Sequence, residues 1–477
     1  MKTLSISTKF AYGVGQVAEG IKSRGFDIIV FFYFTQVLGL QGSLAGAAVA
    51  VALIFDAITD PVVGHLSDNW KSRLGRRHPF MYASALPLGI AWLLLFFPPE
   101  GLGQTGLFIW LLSFAVLVRA ALTLYHVPHM ALGAELSDDY VERTSLVQWR
   151  TLSGMVGSLG VIGLGIYYFF PASDTYSNGL LNPAGYPAFA VFSSIIMFLT
   201  IWYSAWGTRK QIPRLPAPPE HPEPFSIAAA YREFVLAWKN PSFRSLVVGF
   251  SLFAIAFSIV STLGTHINVF YWGFTSKEIS VLLVPLALGF IAGVAISGFL
   301  HVHLDKRPSL IGAALMAGAL GSVAVLTRMM GLMPENGDPL LFGIVFTLLL
   351  GFGLAAGVGF VSAGSMMADV ASDQYQHTGL NQQGILFAAI SFSRKLGSAA
   401  GHLLAGVGID LIQFPLKSDP TLIAPDMIAR LGALSLVALP ISLLATYAFT
   451  HYRITRESFE ASKKKTDRPL TGDNDAG

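Results

Sequence analysis

SLAGAAVAVALIFDAITDPVVGHLS, residues 43–67, is an apolar run whose only carboxylates are Asp56 and Asp60, both near its middle. About 20 residues of α-helix cross a bilayer's hydrocarbon core, so the run has membrane length. Residues at i and i+4 lie on one helix face, which puts both carboxylates on the same side. A charge at the bilayer centre costs about 2.5–3.5 kcal/mol on insertion scales, so an idle pair is not expected there. Two carboxylates with the Thr59 hydroxyl make a hard oxygen site for Na⁺, or a proton acceptor if burial raises a pKa. The alternative is a brace, in which one acid pairs with a basic residue of another helix. Pro61 lacks a backbone donor and frees a carbonyl close to the pair.

The rest of the chain extends this reading. Of 477 residues 53% are apolar and 12% charged, with mean hydropathy +0.58. That is too little charge to clothe a soluble protein of this length, whereas lipid accepts apolar side chains outward. Apolar segments recur at 8–37, 43–67, 79–97, 104–136, 144–170, 186–206, 242–271, 277–302, 309–330, 340–368, 380–412 and 424–452. An all-α polytopic protein with twelve transmembrane helices follows. A net charge of +3 gives no footprint for nucleic acid, and with no cysteine there is neither a disulfide framework nor a thiolate metal site. The N-terminus shows no compact apolar core with a small-residue cleavage site, so no removable signal peptide is expected.

Lys and Arg concentrate on alternate loops: Lys71, Arg73, Arg76 and Arg77; Arg209, Lys210, Arg214, Arg232 and Lys239; Lys306 and Arg307; and the tail from Arg453 to Arg468. Lys277 and Lys417 are the main exceptions. Positive charge marks the cytoplasmic side, which places both termini there. The proline-rich stretch from Gly207 to Pro241 divides two six-helix bundles, expected at 1–206 and 242–452 with a cytoplasmic central loop at 207–241. A short amphipathic helix at Ile227–Trp238 is expected within that loop, and residues 453–477 read as a solvated, disordered cytoplasmic tail. Gly64-His65-Leu66-Ser67-Asp68 precedes a basic loop after the second helix, and Gly298-Phe299-Leu300 precedes Asp305-Lys306-Arg307 after the eighth. This internal repeat fits a transporter with its site at the interface of two halves.

Further polar residues fall inside the apolar segments. Lys395 stands mid-span in the eleventh, with Ser391 one turn earlier on its face; its ammonium needs a carboxylate, and Asp56 and Asp60 are the candidates. Arg394 lies about 100° round the helix. Glu19, Lys22, Arg24 and Asp27 crowd the first helix, suiting either a wet cavity wall or an internal salt-bridge ladder. Thr123, Tyr125, His126 and His129 mark the fourth, and Arg150 the fifth, where a guanidinium fork suits substrate hydroxyls or a carboxylate. The histidines read equally as working or as satisfied structural groups.

Asp68, Arg73, Arg76 and Arg77 belong to a loop that can pair with helix ends and hold a cytoplasmic gate state. Glu135, Asp138, Asp139 and Glu142 read as a solvated loop. No phosphate-binding Gly-x-x-x-x-Gly-Lys-Ser/Thr stretch is present, so the energy source is an ion or solute gradient. No catalytic cluster stands out, so neither an enzyme nor a cofactor is expected. The partners are a small-molecule substrate, a coupling cation and membrane lipid, with the chain a monomer.

Tyr12-Gly13-Val14-Gly15, Phe55-Asp56-Ala57-Ile58-Thr59-Asp60-Pro61 with Gly64, and Lys395-Leu396-Gly397-Ser398 resemble the major facilitator superfamily, and within it the glycoside–pentoside–hexuronide:cation symporters of the melibiose permease group. The loop from Ser72 to Phe80 is also similar to that of proton-coupled sucrose carriers. The resemblance implies a major facilitator fold in a bacterial inner membrane and symport of a sugar, glycoside or related solute with Na⁺ or H⁺. It places the cation at Asp56, Thr59, Asp60, Thr123 and Ser391 with Lys395 close by, and the sugar at Glu19, Gly20, His126, Arg150 and Lys395. Lys22 and Tyr125 join the substrate set from the residue reading. The family's sugar-binding aspartates fall where this chain has Gly20 and His126. The scaffold also resembles sodium-dependent lysolipid carriers, which makes an amphipathic solute the alternative.

Overall fold

A computed structural model describes residues 4–216, 227–378 and 383–456. Among them every regular element is helical. We number the main helices α1 (residues 6–37), α2 (Gly42–Asn69), α3 (His78–Leu95), α4 (Gln104–Glu135), α5 (Val141–Phe169), α6 (Gly185–Arg214), α7 (Ile227–Trp238), α8 (Pro241–Tyr271), α9 (Ser276–Leu304), α10 (Lys306–Met329), α11 (Pro339–Thr378), α12 (Gln383–Leu411) and α13 (Pro425–Phe449).

Ten of the described helices are long and apolar enough to cross a membrane. The other two expected spans, 8–37 and 380–412, are also helical where described, but their charged residues keep them outside that set. The expected short helix of the central stretch forms as α7, while residues 217–226 lie outside the described residues. So does most of the tail expected to be disordered, from residue 457 onward.

α1 is not a uniform helix. It widens twice, with π-turns at Phe26–Val30 and Tyr33–Val37. α5 carries another at Val156–Val161. Single π-turns inside helices are frequent at functional sites, and the first of these contains Asp27 while that of α5 follows Arg150 in the chain.

α1–α6 pack chiefly on one another, as do α8–α13. Lipid tails supply no hydrophobic drive between helices, so close contact depends on small residues. The seam between the two sets runs along α2 and α12. A Cβ on Gly406 would stand 2.1 Å from the Gly42 carbonyl oxygen, and one on Gly46 2.6 Å from that of His402. The backbones can therefore touch only without side chains. Asp410 of α12 completes the seam by accepting from the free Gly42 and Ser43 amides at the start of α2, each at 2.8 Å.

More contacts between the sets gather at the end away from the chain termini. His266 and Thr35 are 3.1 Å apart, Thr265 donates to the Ile28 carbonyl at 2.7 Å, and Asn178 donates to the Phe274 carbonyl at 2.7 Å. The Ser276 hydroxyl donates to the Asn178 side chain at 2.9 Å. α5 meets α9 mainly through Ile162–Phe169 and Ser276–Val281, at this same end.

Candidate functional site

The acids of residues 43–67 meet their partner across the seam. Lys395 Nζ on α12 lies 2.9 Å from Asp56 Oδ2 and 2.5 Å from Asp60 Oδ2 on α2. The Thr123 hydroxyl, reaching from α4, donates to Asp56 at 2.8 Å and to Asp60 at 3.2 Å. Arg119, one turn earlier on α4, places a guanidinium nitrogen 3.6 Å from Asp56. Asp56 is buried, while the Asp60 side chain keeps 30% of its surface exposed. One carboxylate is thus sealed and the other open to small molecules. Carboxylate and hydroxyl oxygens converge on the place where a positive charge, the Lys395 ammonium, is already held. Such a donor set suits a hard monovalent cation.

Two residues assigned to this cluster take other positions. Thr59 turns its hydroxyl back to the Phe55 carbonyl at 3.0 Å, a helix-internal bond. Ser391 makes no hydrogen bond with either acid among the described residues, although it shares the face of Lys395.

Beside the cluster a cavity of about 580 Å³ opens between the two sets of helices. Its polar wall holds Gln16 and Arg24 of α1, His126 of α4, Arg150 of α5 and Arg394 of α12. The lining from α8, α9 and α11 is largely apolar, with Phe257, Leu286, Phe290, Phe352 and Phe360, and its polar groups are Ser261, Thr265 and Asn268 of α8. Arg394, which the helix angle set apart from Lys395, points into this space: adjacent residues on α12 serve the cluster and the cavity separately.

The remaining substrate candidates divide. His126 and Arg150 line the cavity, and Arg150 donates to the Met130 sulfur at 2.6 Å. Glu19 and Lys22 form the anticipated i,i+3 ion pair at 3.0 Å, with Lys22 buried. Gly20 does not face the cavity: a Cβ there would meet the Gly154 carbonyl oxygen at 2.3 Å and the Ser158 nitrogen at 2.7 Å. It is the crossing point of α1 and α5, a packing role that a substrate assignment missed. Tyr125 is also a correction, because it is fully buried away from the cavity and donates to Ser204 at 3.0 Å.

His129 is a satisfied structural histidine. Its Nε2 lies 2.8 Å from the Tyr12 carbonyl oxygen, and its ring stacks on Tyr12 and Tyr125. Thr123, His126 and His129, at i+3 spacing on α4, serve the acids, the cavity and the α1 contact respectively. Each i+3 step turns 300°, so three residues at that spacing fan across 120°.

The basic loop folds back on its own half. Arg77 pairs with Asp68, donates to Ser67 at 2.7 Å and reaches Glu135 at 2.7 Å; Arg76 reaches Glu135 at 2.8 Å. Arg73 is exposed and has no ion pair among the described residues. Glu135 is therefore no solvated loop acid but the hub that ties this loop to the end of α4. The second half repeats the device, with Lys306 after α9 holding Asp369 of α11 at 2.7 Å.

Sequence reasoning passed over Arg119, although an arginine four residues before Thr123 on an apolar helix was the available signal. It also passed over His402, which lies 2.7 Å from the Thr262 hydroxyl and 3.7 Å from Asp27. That contact joins α12, α8 and α1 and has no local signature.

Comparison with known proteins places the chain among carriers. Residues 11–456 match the family model described as MFS/sugar transport protein. The inner membrane symporter YicJ of Escherichia coli is 25% identical, over 85% of this chain and 82% of its own length. The isoprimeverose transporter of Lactiplantibacillus pentosus is 22% identical over 84% and 79%. The fold is similar to the crystal structure of a bacterial homologue of the human lysosomal transporter Spinster, with a TM-score of 0.63 at 13% identity, covering 96% of this chain and 97% of that one.

Proposed function

Because the chain belongs to the MFS/sugar transport protein family, as a secondary transporter of the inner membrane and not an enzyme, we propose that it is a cation-coupled symporter of a sugar, glycoside or related small solute. The cation, Na⁺ or H⁺, enters at Asp56, Asp60 and Thr123, and the solute occupies the neighbouring cavity. The two sets of helices, residues 1–206 and 242–452, rock about that centre.

The observation that carries this reading is the Lys395 ammonium lying between both acids from the opposite side of the seam. A cation that takes the carboxylates must displace the ammonium, and displacement unties α12 from α2. Ion occupancy thereby biases how the halves meet, and by linkage the solute that favours the same arrangement binds the cation more tightly. Arg119 stays beside Asp56 throughout and keeps the emptied acid from being left alone.

The contacts at Thr35–His266 and Asn178–Ser276 close the side away from the termini. With the termini cytoplasmic, as the loop charges indicate, the cavity opens inward. An amphipathic solute is the second reading, and the row of phenylalanines on the cavity wall is what favours it.

Proteoliposomes carrying the purified protein test the proposal. Imposed Na⁺ or pH gradients should drive accumulation of a labelled glycoside, and Asp60→Asn should abolish accumulation while the protein remains in the membrane. Full accumulation by that variant would defeat the ion-site assignment.

A further inference from the structure

We propose that the transported solute is an acid: it carries a carboxylate, sulfonate or phosphate held by Arg24, Arg150 and Arg394, with an apolar or ring face against the phenylalanine wall. The inference rests on the cavity being the solute site, as argued above.

The charges deep in the spans do not balance. Lys22, Arg24, Arg119, Arg150, Arg394 and Lys395 are basic, while Glu19, Asp27, Asp56 and Asp60 are acidic. Glu19 pairs with Lys22, Asp27 with Arg24 at 3.7 Å, and Asp56 and Asp60 with Lys395 and Arg119. Arg150 and Arg394 are left without a carboxylate partner at salt-bridge distance among the described residues, and both line the cavity. Arginine stays charged in proteins, so neutralising them by proton loss is not available. Both guanidiniums face the cavity with no carboxylate competing for them among the described residues, so an anion entering it finds two free forks.

Hydrogen-bonding capacity points the same way. Arg24 Nε and His126 Nδ1 have no hydrogen-bond partner among the described residues, and both residues line the cavity. Gln16 Oε1 and Ser261 Oγ of the lining are likewise unpartnered among the described residues, and the guanidinium forks beside them match carboxylate and phosphate geometry. Coupling strengthens the choice. A cation at Asp56 and Asp60 releases the Lys395 ammonium and makes the centre one charge more positive, so an anionic solute and the cation favour each other's binding.

Matched ligands decide the matter in gradient-free binding measurements on the purified protein. The probes are methyl glucuronide against methyl glucoside, a 6-sulfonated against a plain hexoside, and lysophosphatidate against monoacylglycerol. At least one acidic member should bind tenfold or more tightly than its neutral partner, and which pair responds separates a sugar acid from a lipid phosphate. Arg150→Gln with Arg394→Gln should erase the preference, whereas Arg150→Lys with Arg394→Lys should keep part of it. Thermal unfolding shows whether the variants are folded. Equal binding of neutral and acidic partners, binding of no acidic probe, or an undiminished preference in the folded glutamine variant overturns the inference. Gradient-driven uptake separates the two proposals: cation-driven accumulation of neutral glycosides alone sinks the acid while leaving the symporter standing.

Discussion

Lys395 Nζ and Asp60 Oδ2 lie 2.5 Å apart although 335 residues separate them in the chain. The pair spans the seam, so any change at one end alters how the halves meet. Lys395→Gln should leave Asp56 and Asp60 repelling each other, with the Arg119 and Lys22 charges and the Thr123 hydroxyl for relief. Accumulation against a gradient should fall at least tenfold, while downhill exchange of labelled solute falls less. Uphill transport at the wild-type level in proteoliposomes would contradict the exchange of ammonium for cation.

Thr123 and Thr59 separate geometry from resemblance. The Thr123 hydroxyl serves both acids, whereas that of Thr59 is spent on its own helix. A hydrogen bond to a charged group contributes about 1.5–3 kcal/mol, so Thr123→Ala should weaken cation activation roughly tenfold or more. Thr59→Ala should change it by less than half that on a logarithmic scale. Cation titration of uptake reads both, and a larger effect at Thr59 would favour an arrangement unlike this one.

Arg119 is buried and supports Asp56 from behind. Removing one partner of a buried ion pair costs about 3–5 kcal/mol when nothing replaces it. Lys395 remains near Asp56, so Arg119→Met should cost about 3 kcal/mol or less, seen as a lower unfolding temperature in detergent. An unchanged unfolding temperature would mean that the guanidinium contributes no net support.

The closed end can be locked. The chain has no cysteine, so introduced ones are unambiguous. Asn178→Cys with Ser276→Cys replaces side chains that are hydrogen-bonded at 2.9 Å between the halves. Oxidation should stop transport and reduction should restore it. Oxidised, cross-linked protein that still transports would show that this end does not open during the cycle.

Gly20 offers a steric test. A Cβ there would stand 2.3 Å from a backbone oxygen of α5, which cannot rotate aside. Gly20→Val should destabilise the protein by about 1–3 kcal/mol through overpacking. A folded Gly20→Val carrier that loses only solute affinity would instead restore Gly20 to the binding site.

Much of the architecture was legible because membrane insertion depends on local quantities. Helix length, apolar content and loop charge are properties of contiguous residues, and most expected spans match the helices within a few positions, while α6 runs on to Arg214 and α11 to Thr378, past the expected ends at 206 and 368. The acids of α2 and Lys395 were legible as partners for the same reason: each is an expensive charge in an apolar run, and few opposite charges exist to meet it. Glu135 was misread as solvated because its partners Arg76 and Arg77 lie 59 and 58 residues away, beyond any helical spacing.

From the sequence alone came the membrane, the helices and the seam's charged pair, since each follows from burying or exposing a nearby residue in lipid. Tertiary packing alone decided that Thr123 rather than Thr59 serves the acids, that Gly20 is a helix crossing, and that Arg394 joins Arg24 and Arg150 on one wall. Those assignments depend on the rotation of each helix about its axis. Side chains from several distant helices fix that rotation together, and no single segment encodes it.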